Sequence, residues 1–548
     1  VFKSTDGGTN WTVISPDLTR NDKSKQGPSG GPVNWDISGA ETYDTVLSMT
    51  LAPTDSQVLW AGTDDGLVQV TRDGGGHWSN VTPGGVPKWS RIYQIGVSPF
   101  AAGTAYVAAD AHELDDRKPY VFRTSDYGKS WTRINDGLPD QSVLVVREDP
   151  QQRGVLVAGT MTGVWVSRDD GGHWSPLKAK SLPTVAVWDV QFVGPHGGDL
   201  ALGTHGRGVI VLDHFAAVAG LTPAVQKQPL QVFAPSTGVE WQRWSRGEGA
   251  EPGYTVPNAP NGVVLDFWLP KKLEPSAAEK AAHHGPVEVQ VKDAAGHLVA
   301  TRWVKKTHAG VNRYVWDMSY DGPTKLDFDQ MPASETGGEG GNSGPPVLPG
   351  SYSITVTADG HSQTVPATVT YDPNHVAALP AQQAALQAAL AARNQLSALN
   401  QMLNRVTAWQ GTLKSFEAEA GNPDSSLDAT QRALLTQAVA LGKQIATLRD
   451  SVYSAKFQHN VIEDDLHQLT DLHGGIAAVY GTEASLQNQA PTAPLLQMGQ
   501  QQAQQNATAL AGFNSLLAGD VATYNKAAFA AGVPTLAGGQ PIAVAAVQ

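Results

Sequence analysis

A multidomain, mainly β chain is predicted, with blades of a β-propeller first, a β-sandwich next and an α-helical bundle last. Three observations predict it. A motif of Ser or Thr, Asp, Gly and Trp recurs four times in the first 215 residues, alternating apolar runs follow, and beyond residue 375 the apolar spacing becomes helical. At 548 residues the chain exceeds one ordinary core, so about three domains are expected.

The repeat fixes the first domain, expected over residues 1–215. Its copies are Ser4, Asp6, Gly8, Trp11; Thr71, Asp73, Gly75, Trp78; Thr124, Asp126, Gly128, Trp131; and Ser167, Asp169, Gly171, Trp174. The intervals between the four aspartates shorten along the chain but stay near the length of one four-stranded blade with its loops. Around each copy the layout repeats: in VLWAGTDDGLVQVTRDGGGHWSNV (58–81) a β-rich run, a DDG turn, an alternating run, the motif and a short strand follow in order. A last partial copy, DLALGTHGRGVIVLD (199–213), keeps the strand-turn-strand and drops the motif. That makes four blades and one outer strand at 1–14, whose inner partners are expected to precede Val1.

Why the motif recurs follows from its chemistry. An Asp in a Gly-rich turn accepts hydrogen bonds from the turn's own amides, Gly permits positive φ, and the Trp packs between neighbouring strands. The four aspartates are therefore structural, since four equivalent places around a ring cannot face one active site.

Residues 216–228 shift to Ala, Pro and Gln and read as a linker. The sandwich is expected over 229–373, where VEVQV (287–291) and YSITVT (352–357) alternate with period two and DG at 359–360 marks a hairpin. A Gly-rich insert (335–346) reads as a loop. The bundle is expected over 376–531. Leu434, Ala438, Leu441, Ile445, Leu448, Val452 and Ala455 form one helical stripe, Leu396, Leu399, Leu403, Val406 and Leu413 a second, and Ile462, Leu466, Leu469 and Ile476 a third. Pro491 and Pro494 precede a fourth helix near 495–518. The tail, 532–548, reads as loose.

Composition excludes several functions. A net charge of −13 with 38 Lys and Arg, and no basic run, argues against a nucleic-acid or anionic-membrane surface. The absence of cysteine removes disulfides, zinc ribbons and thiol nucleophiles. No apolar run approaches membrane-spanning length, and Val1 opens within a repeat motif, so neither a membrane span nor a signal peptide is expected in this chain. HExxH, GxSxG and a Gly-rich phosphate cradle with Lys are missing, and the His283–His284 pair lacks a carboxylate at ligand spacing; no cofactor or metal is expected.

Ser/Thr-x-Asp-x-Gly-x-x-Trp resembles the Asp box, or bacterial neuraminidase repeat, of sialidases, xyloglucanases and sortilins. KPYVFRTSDYGKSWTRINDGLP, GTDDGLVQVTRDGG and LALGTHGRGVIVLD, followed by GVNRYVWDMSYDGP and GPPVLPGSYSITV, are similar to the large bacterial sortilin-like Asp-box propeller proteins often labelled glycosyl hydrolases. The likeness covers the chain to about residue 375 and implies an immunoglobulin-like sandwich after the propeller, a secreted or periplasmic setting, and a working face opposite the Asp boxes.

That face carries the turns TDDG (63–66), ADAHELDDRKPY (109–120), TMTG (160–163) and THGRG (204–208). Asp64, Asp65, Asp115 and Asp116 offer the paired carboxylates of glycoside hydrolysis, one protonated toward the leaving group and one ionised toward water or the sugar. His112, His205 and Arg207 suit an anionic or hydroxyl-rich substrate, and Trp89 and Trp188, between blades, suit stacking on a sugar ring. Ordinary structural roles stand beside each. Asp-Gly is a common turn, His205 and Arg207 suit fastening the last blade to its neighbour, and HELDDRK is also what a solvated charge cluster looks like. Three functions are expected from these residues: hydrolysis of a polysaccharide or glycoconjugate, non-catalytic binding of a peptide or protein, or a scaffold role with self-association through the bundle.

Overall fold

The computed structural model describes residues 1–35, 42–178, 182–194, 198–241, 260–327, 344–374, 379–422, 425–453, 471–486 and 489–547. They divide into two compact units, one of Val1–Ser236 with Asp266–Lys272 and His308–Arg313, the other of Thr237–Leu265, Leu273–Thr307 and Tyr314–Gln548.

The first unit opens with an antiparallel ribbon, β1 (Phe2–Lys3) and β2 (Thr12–Val13). Three four-stranded antiparallel sheets follow. They comprise β3 (Val46–Ala52), β4 (Asp55–Thr63), β5 (Val68–Thr71) and β6 (Trp78–Asn80); β7 (Ile95–Val97), β8 (Ala105–Ala109), β9 (Tyr120–Thr124) and β10 (Thr132–Arg133); and β11 (Val143–Glu148), β12 (Leu156–Thr160), β13 (Gly163–Ser167) and β14 (Trp174–Pro176). A three-stranded sheet, β15 (Val187–Val193), β16 (Asp199–Thr204) and β17 (Val209–Leu212), ends the series. Strands pair in chain order in every sheet, and the first strands β3, β7, β11 and β15 lie against one another in succession. These are propeller blades around an inner edge.

Burial follows from that arrangement. A blade between two others is covered on both faces, so its middle strands are apolar throughout rather than alternating. All five residues of β8 and all five of β12 are buried. At the ends of the series the pattern relaxes: Met49 and Leu51 of β3 and Val209 and Val211 of β17 stay exposed.

Each repeat turn closes on itself as its chemistry requires. The hydroxyls of Ser4, Thr71, Thr124 and Ser167 donate to Oδ1 of Asp6, Asp73, Asp126 and Asp169 at 2.7–2.9 Å, and accept from the amides of Gly8, Gly75, Gly128 and Gly171. The same Oδ1 accepts from the amides of Asn10, His77, Ser130 and His173. The tryptophans reach outward. Nε1 of Trp78, Trp131 and Trp174 donates to the carbonyls of Ile14, Val81 and Ile134, each just past the last strand of the preceding blade, at 2.7–2.8 Å. Trp11 bonds within its own turn and is 61% exposed.

Residues 216–228 are more than a connector. Phe215 and Ala219 are buried against the last blade, and α1 (Ala216–Gly220) forms there because small residues let the backbone lie close. β18 (Gln231–Val232) then pairs antiparallel with Phe267 and Trp268.

The second unit is built on a five-stranded sheet, β19 (Gly238–Glu240), β21 (Val287–Asp293), β22 (Leu298–Val304), β24 (Gly350–Ala358) and β25 (His361–Tyr371), in the order β19-β25-β24-β21-β22. β20 (Val263–Leu269) and β23 (Gly310–Trp316) belong with β18 to a three-stranded sheet, and the unit division passes through both. The fully buried ring of Trp316 packs edge-on against Tyr352 of β24, 5.2 Å between centroids. A short helix, α2 (Ala277–Ala281), carries a capping box from Ser276 and Glu279.

The helical region holds α3 (Leu379–Gly421), α4 (Ala429–Ala433), α5 (Leu435–Asp450), α6 (Leu472–Ala484), α7 (Ala493–Leu516) and α8 (Ala522–Ala531), with a π turn, Leu517–Val521, joining the last two. Of the expected stripes, Leu396, Leu399, Leu403, Val406 and Leu413 are buried on α3, and Ala438, Leu441 and Ile445 of α5 with the following Val452 are buried too, while Leu434 and Leu448 pack at the margin. Ile476 is buried; Ala455, Ile462, Leu466 and Leu469 lie outside the described residues. The tail corrects its expectation. Val533, Leu536 and Ile542 are buried in the helical core, and Trp409 Nε1 donates to the Ala537 carbonyl at 2.8 Å, because the segment supplies apolar groups and carbonyls that α3 and α7 leave unmatched.

Candidate functional site

The turns between second and third strands share one rim of the first unit with the loops that join blades. Backbone bonds tie them pairwise: Trp89 N to Asp65 O, Arg91 to Asp110 in both directions, Met161 N to Ser142 O and His205 N to Ala186 O. The repeat turns, one strand further on, lie at the other end of each blade.

Asp64 and Asp65 are built into this rim. Asp64, 8% exposed, accepts from the amide and hydroxyl of Thr45, both at 2.8 Å. Asp65, fully buried, accepts from the Thr63 hydroxyl and from the Arg20 amide at 2.6 Å, while Arg20 Nε donates to its carbonyl at 2.9 Å. Burial pushes the Asp65 carboxyl up; the bonds from Thr63 and Arg20 oppose this, and the neighbouring Asp44 carboxyl adds to it. Asp44 Oδ1 is itself buried without a hydrogen-bond partner. The Asp65 carboxyl is thus fully enclosed by the chain's own groups.

Trp89 is tied to Asp65 through the backbone, its amide donating to the Asp65 carbonyl at 3.2 Å. It has φ +69°, its carbonyl accepts from the Tyr43 hydroxyl at 2.8 Å, and the Arg20 and Lys25 cations stand 5.5 and 5.6 Å from its ring. Its stacking face is thus occupied from within the chain.

The HELDDRK loop is looser. His112 Nδ1 is 2.6 Å from the buried Asp110 carboxylate, and Glu113 pairs with Arg91 at 2.7 Å. Asp115 caps a short 3-10 turn in left-handed geometry, with its side chain exposed. Asp116 accepts from the Tyr120 hydroxyl at 2.6 Å, and that bond first, then the Lys118 amide, holds it below the usual carboxylate range. Asp116 is an ionised carboxylate.

A third group joins distant parts of the chain. The Trp188 ring lies 5.1 Å from Tyr93 and 5.8 Å from His205, and the Arg91 guanidinium donates to the Tyr93 hydroxyl at 3.1 Å. Trp188 is half-buried with Nε1 enclosed and unpartnered; His205 and Arg207 are exposed. Beside them Arg147 donates to the Ile95 carbonyl at 2.9 Å and to the Gln94 side chain, and Gln94 donates to the Trp188 carbonyl. Of the expected residues, Trp188 and His205 therefore come together, whereas Asp64 and Asp65 turn inward. Asp44, Arg91, Tyr93 and Arg147 were not singled out from the sequence. Only the alternation in SRIYQIGV, which puts Arg91 and Tyr93 on one side, hinted at them.

Among the described residues no group of three or more His, Asp or Glu side chains is arranged to hold a metal ion. No family model matches the chain, and no curated relative does. Solved structures similar to it include the GH74 xyloglucanase from Xanthomonas campestris, at 16% identity over 59% of this chain and 45% of that one, TM-score 0.26. An ancestral GH74 enzyme is 15% identical over 66% of this chain and 41% of its own, TM-score 0.28. YCF48 from Cyanidioschyzon merolae is 19% identical over 30% and 52%, TM-score 0.23. This chain spans about half the length of such structures or less. The propeller assignment rests on the blades and repeats themselves.

Proposed function

We propose that this chain is the ligand-holding part of an Asp-box propeller and binds a polysaccharide or glycoconjugate on the rim opposite the repeat turns. The observation that carries the reading is the run of Tyr93, Trp188 and His205, flanked by the guanidinium groups of Arg91 and Arg147. Aromatic faces stack on the apolar side of a sugar ring while fixed donors take its hydroxyls. The reading implies a secreted or periplasmic protein, and the sandwich following the propeller is taken as immunoglobulin-like in the same sense.

Hydrolysis is the second reading, favoured by one observation: Asp115 is exposed beside the ionised Asp116. A glycosidase sets two carboxyls about 5 to 10 Å apart across a wet cleft, one of them protonated. Asp64 and Asp65 do not serve it, being hydrogen-bonded inside the rim.

Affinity electrophoresis of the full chain against neutral and acidic polysaccharides tests the first reading. Trp188→Ala is expected to weaken binding at least about tenfold, the scale of one lost aromatic platform. Absence of binding across the panel, or equal binding by the variant, overturns it. Release of reducing sugar that disappears in Asp115→Asn or Asp116→Asn would establish the second.

A further inference from the structure

The second unit contains a cavity of about 140 Å³ lined by the ends of β19 and β25, the first turns of α3 and the C-terminal turn of α6. Four acids line it, Glu240, Asp317, Asp372 and Glu483, and among the described residues no Lys, Arg or His does. Two of the four have partners. Asp317 accepts from the Ser319 hydroxyl at 2.6 Å and lies 3.9 Å from the Arg302 guanidinium, and Asp372 accepts from the Asn374 amide at 2.8 Å.

Glu240 and Glu483 differ. Glu483 is 4% exposed, and its carboxyl has no hydrogen bond or ion pair among the described residues. Glu240 Oε1 is buried without a hydrogen-bond partner. Burial alone pushes each carboxyl up to about 7, with no cation among the described residues to offset it. The facing groups do not supply one. Tyr371 bonds its hydroxyl to Gln382 at 2.8 Å; Tyr352 and Tyr371, both raised first by burial, are raised further by Glu240; α3 presents Gln382 and apolar side chains.

An unpaired buried acid is costly unless something complementary enters. The rest of the wall says what. Met318, Val347 and Leu386 are apolar and suit a carbon chain rather than a hydrated ion. In volume the cavity is close to one of about 150 Å³ that admits benzene, so about six heavy atoms fit.

We infer that this cavity is a binding site for a small organic cation, an alkylammonium compound whose charge meets Glu240 or Glu483 and whose chain lies on the apolar wall. Free amines and a lysine side chain share that chemistry. The inference is independent of the propeller rim.

Calorimetric titration of the full chain with 1,4-diaminobutane, Nα-acetyl-lysine methylamide and 1-butanol tests it. At pH 8 at least one amine binds and the alcohol does not; the stronger amine identifies the source. At least one of Glu483→Gln and Glu240→Gln weakens binding by about tenfold or more, the scale of one charge-assisted contact. A second arm needs no variant. The amines stay protonated below pH 9, whereas acids titrating near 7 lose charge on going from pH 8 to pH 6, so affinity falls about tenfold for each acid engaged. Binding of neither amine, equal binding of the alcohol, or an affinity unchanged between pH 8 and pH 6 overturns the assignment.

Discussion

Glycines of the repeat turns show how one atom can decide a contact between blades. Gly128 has φ +79°, and a Cβ there would meet the Val81 Cβ at 2.6 Å; Gly171 would meet Ile134 in the same way at 2.9 Å. Gly8 has φ +92° but its nearest neighbour, in the Trp11 ring, is 3.6 Å away. Backbone strain of an L side chain at positive φ alone amounts to about 1–2 kcal/mol, and forcing a methyl into a packed contact adds about 1–3 kcal/mol. Gly128→Ala is therefore expected to lower stability by about 3 kcal/mol and Gly8→Ala by about 1 kcal/mol, read from urea unfolding followed by tryptophan fluorescence. At this scale the sequence was legible wherever partners lie within one turn, as with Thr124, Asp126 and Gly128. It was silent on Asp44 against Asp65 or Tyr93 against Trp188, whose meeting depends on the path of the chain between them.

Among the elements, the four repeat turns share an electrostatic signature with a definite pH consequence. The Asn10 amide first holds Asp6 down at about 2, the Ser130 hydroxyl first holds Asp126 at about 2, and the His77 side chain first depresses Asp73. Asp169 is lowered too, its bonds from Ser167 and His173 outweighing burial. Depressed carboxylates stabilise the fold above their unfolded value, near 3.9, and that stabilisation disappears as pH falls through the folded values. The blades are expected to lose thermal stability between pH 4 and pH 2, and Asp169→Asn to flatten that decline; a melting temperature constant across the window would refute it. Elements with a strong internal period, such as the α3 stripe, were legible in outline. α1 and the tail were not, because Ala-, Gly- and Pro-rich segments carry no period and are ordered only by the cores they cover.

For the whole molecule the sequence displayed the succession from blades to strands to helices, through changes of period and composition. It did not display how late the helical core is completed. α3 begins at Leu379, yet its Asn394 donates to the carbonyl of Ala545, its Arg405 to that of Gln540 and its Trp409 to that of Ala537. Asn514 of α7 exchanges two bonds with Ile542. A chain ending at Ala531 is expected to bind a hydrophobic dye more strongly and to unfold at lower urea than the full chain, because Leu536 and Ile542 no longer cover that core. During synthesis these residues emerge 128 to 151 positions after the α3 side chains they bond. Until they emerge, the side of α3 they cover is an apolar surface that a nascent-chain chaperone would hold, so this core closes long after α3 itself has been made.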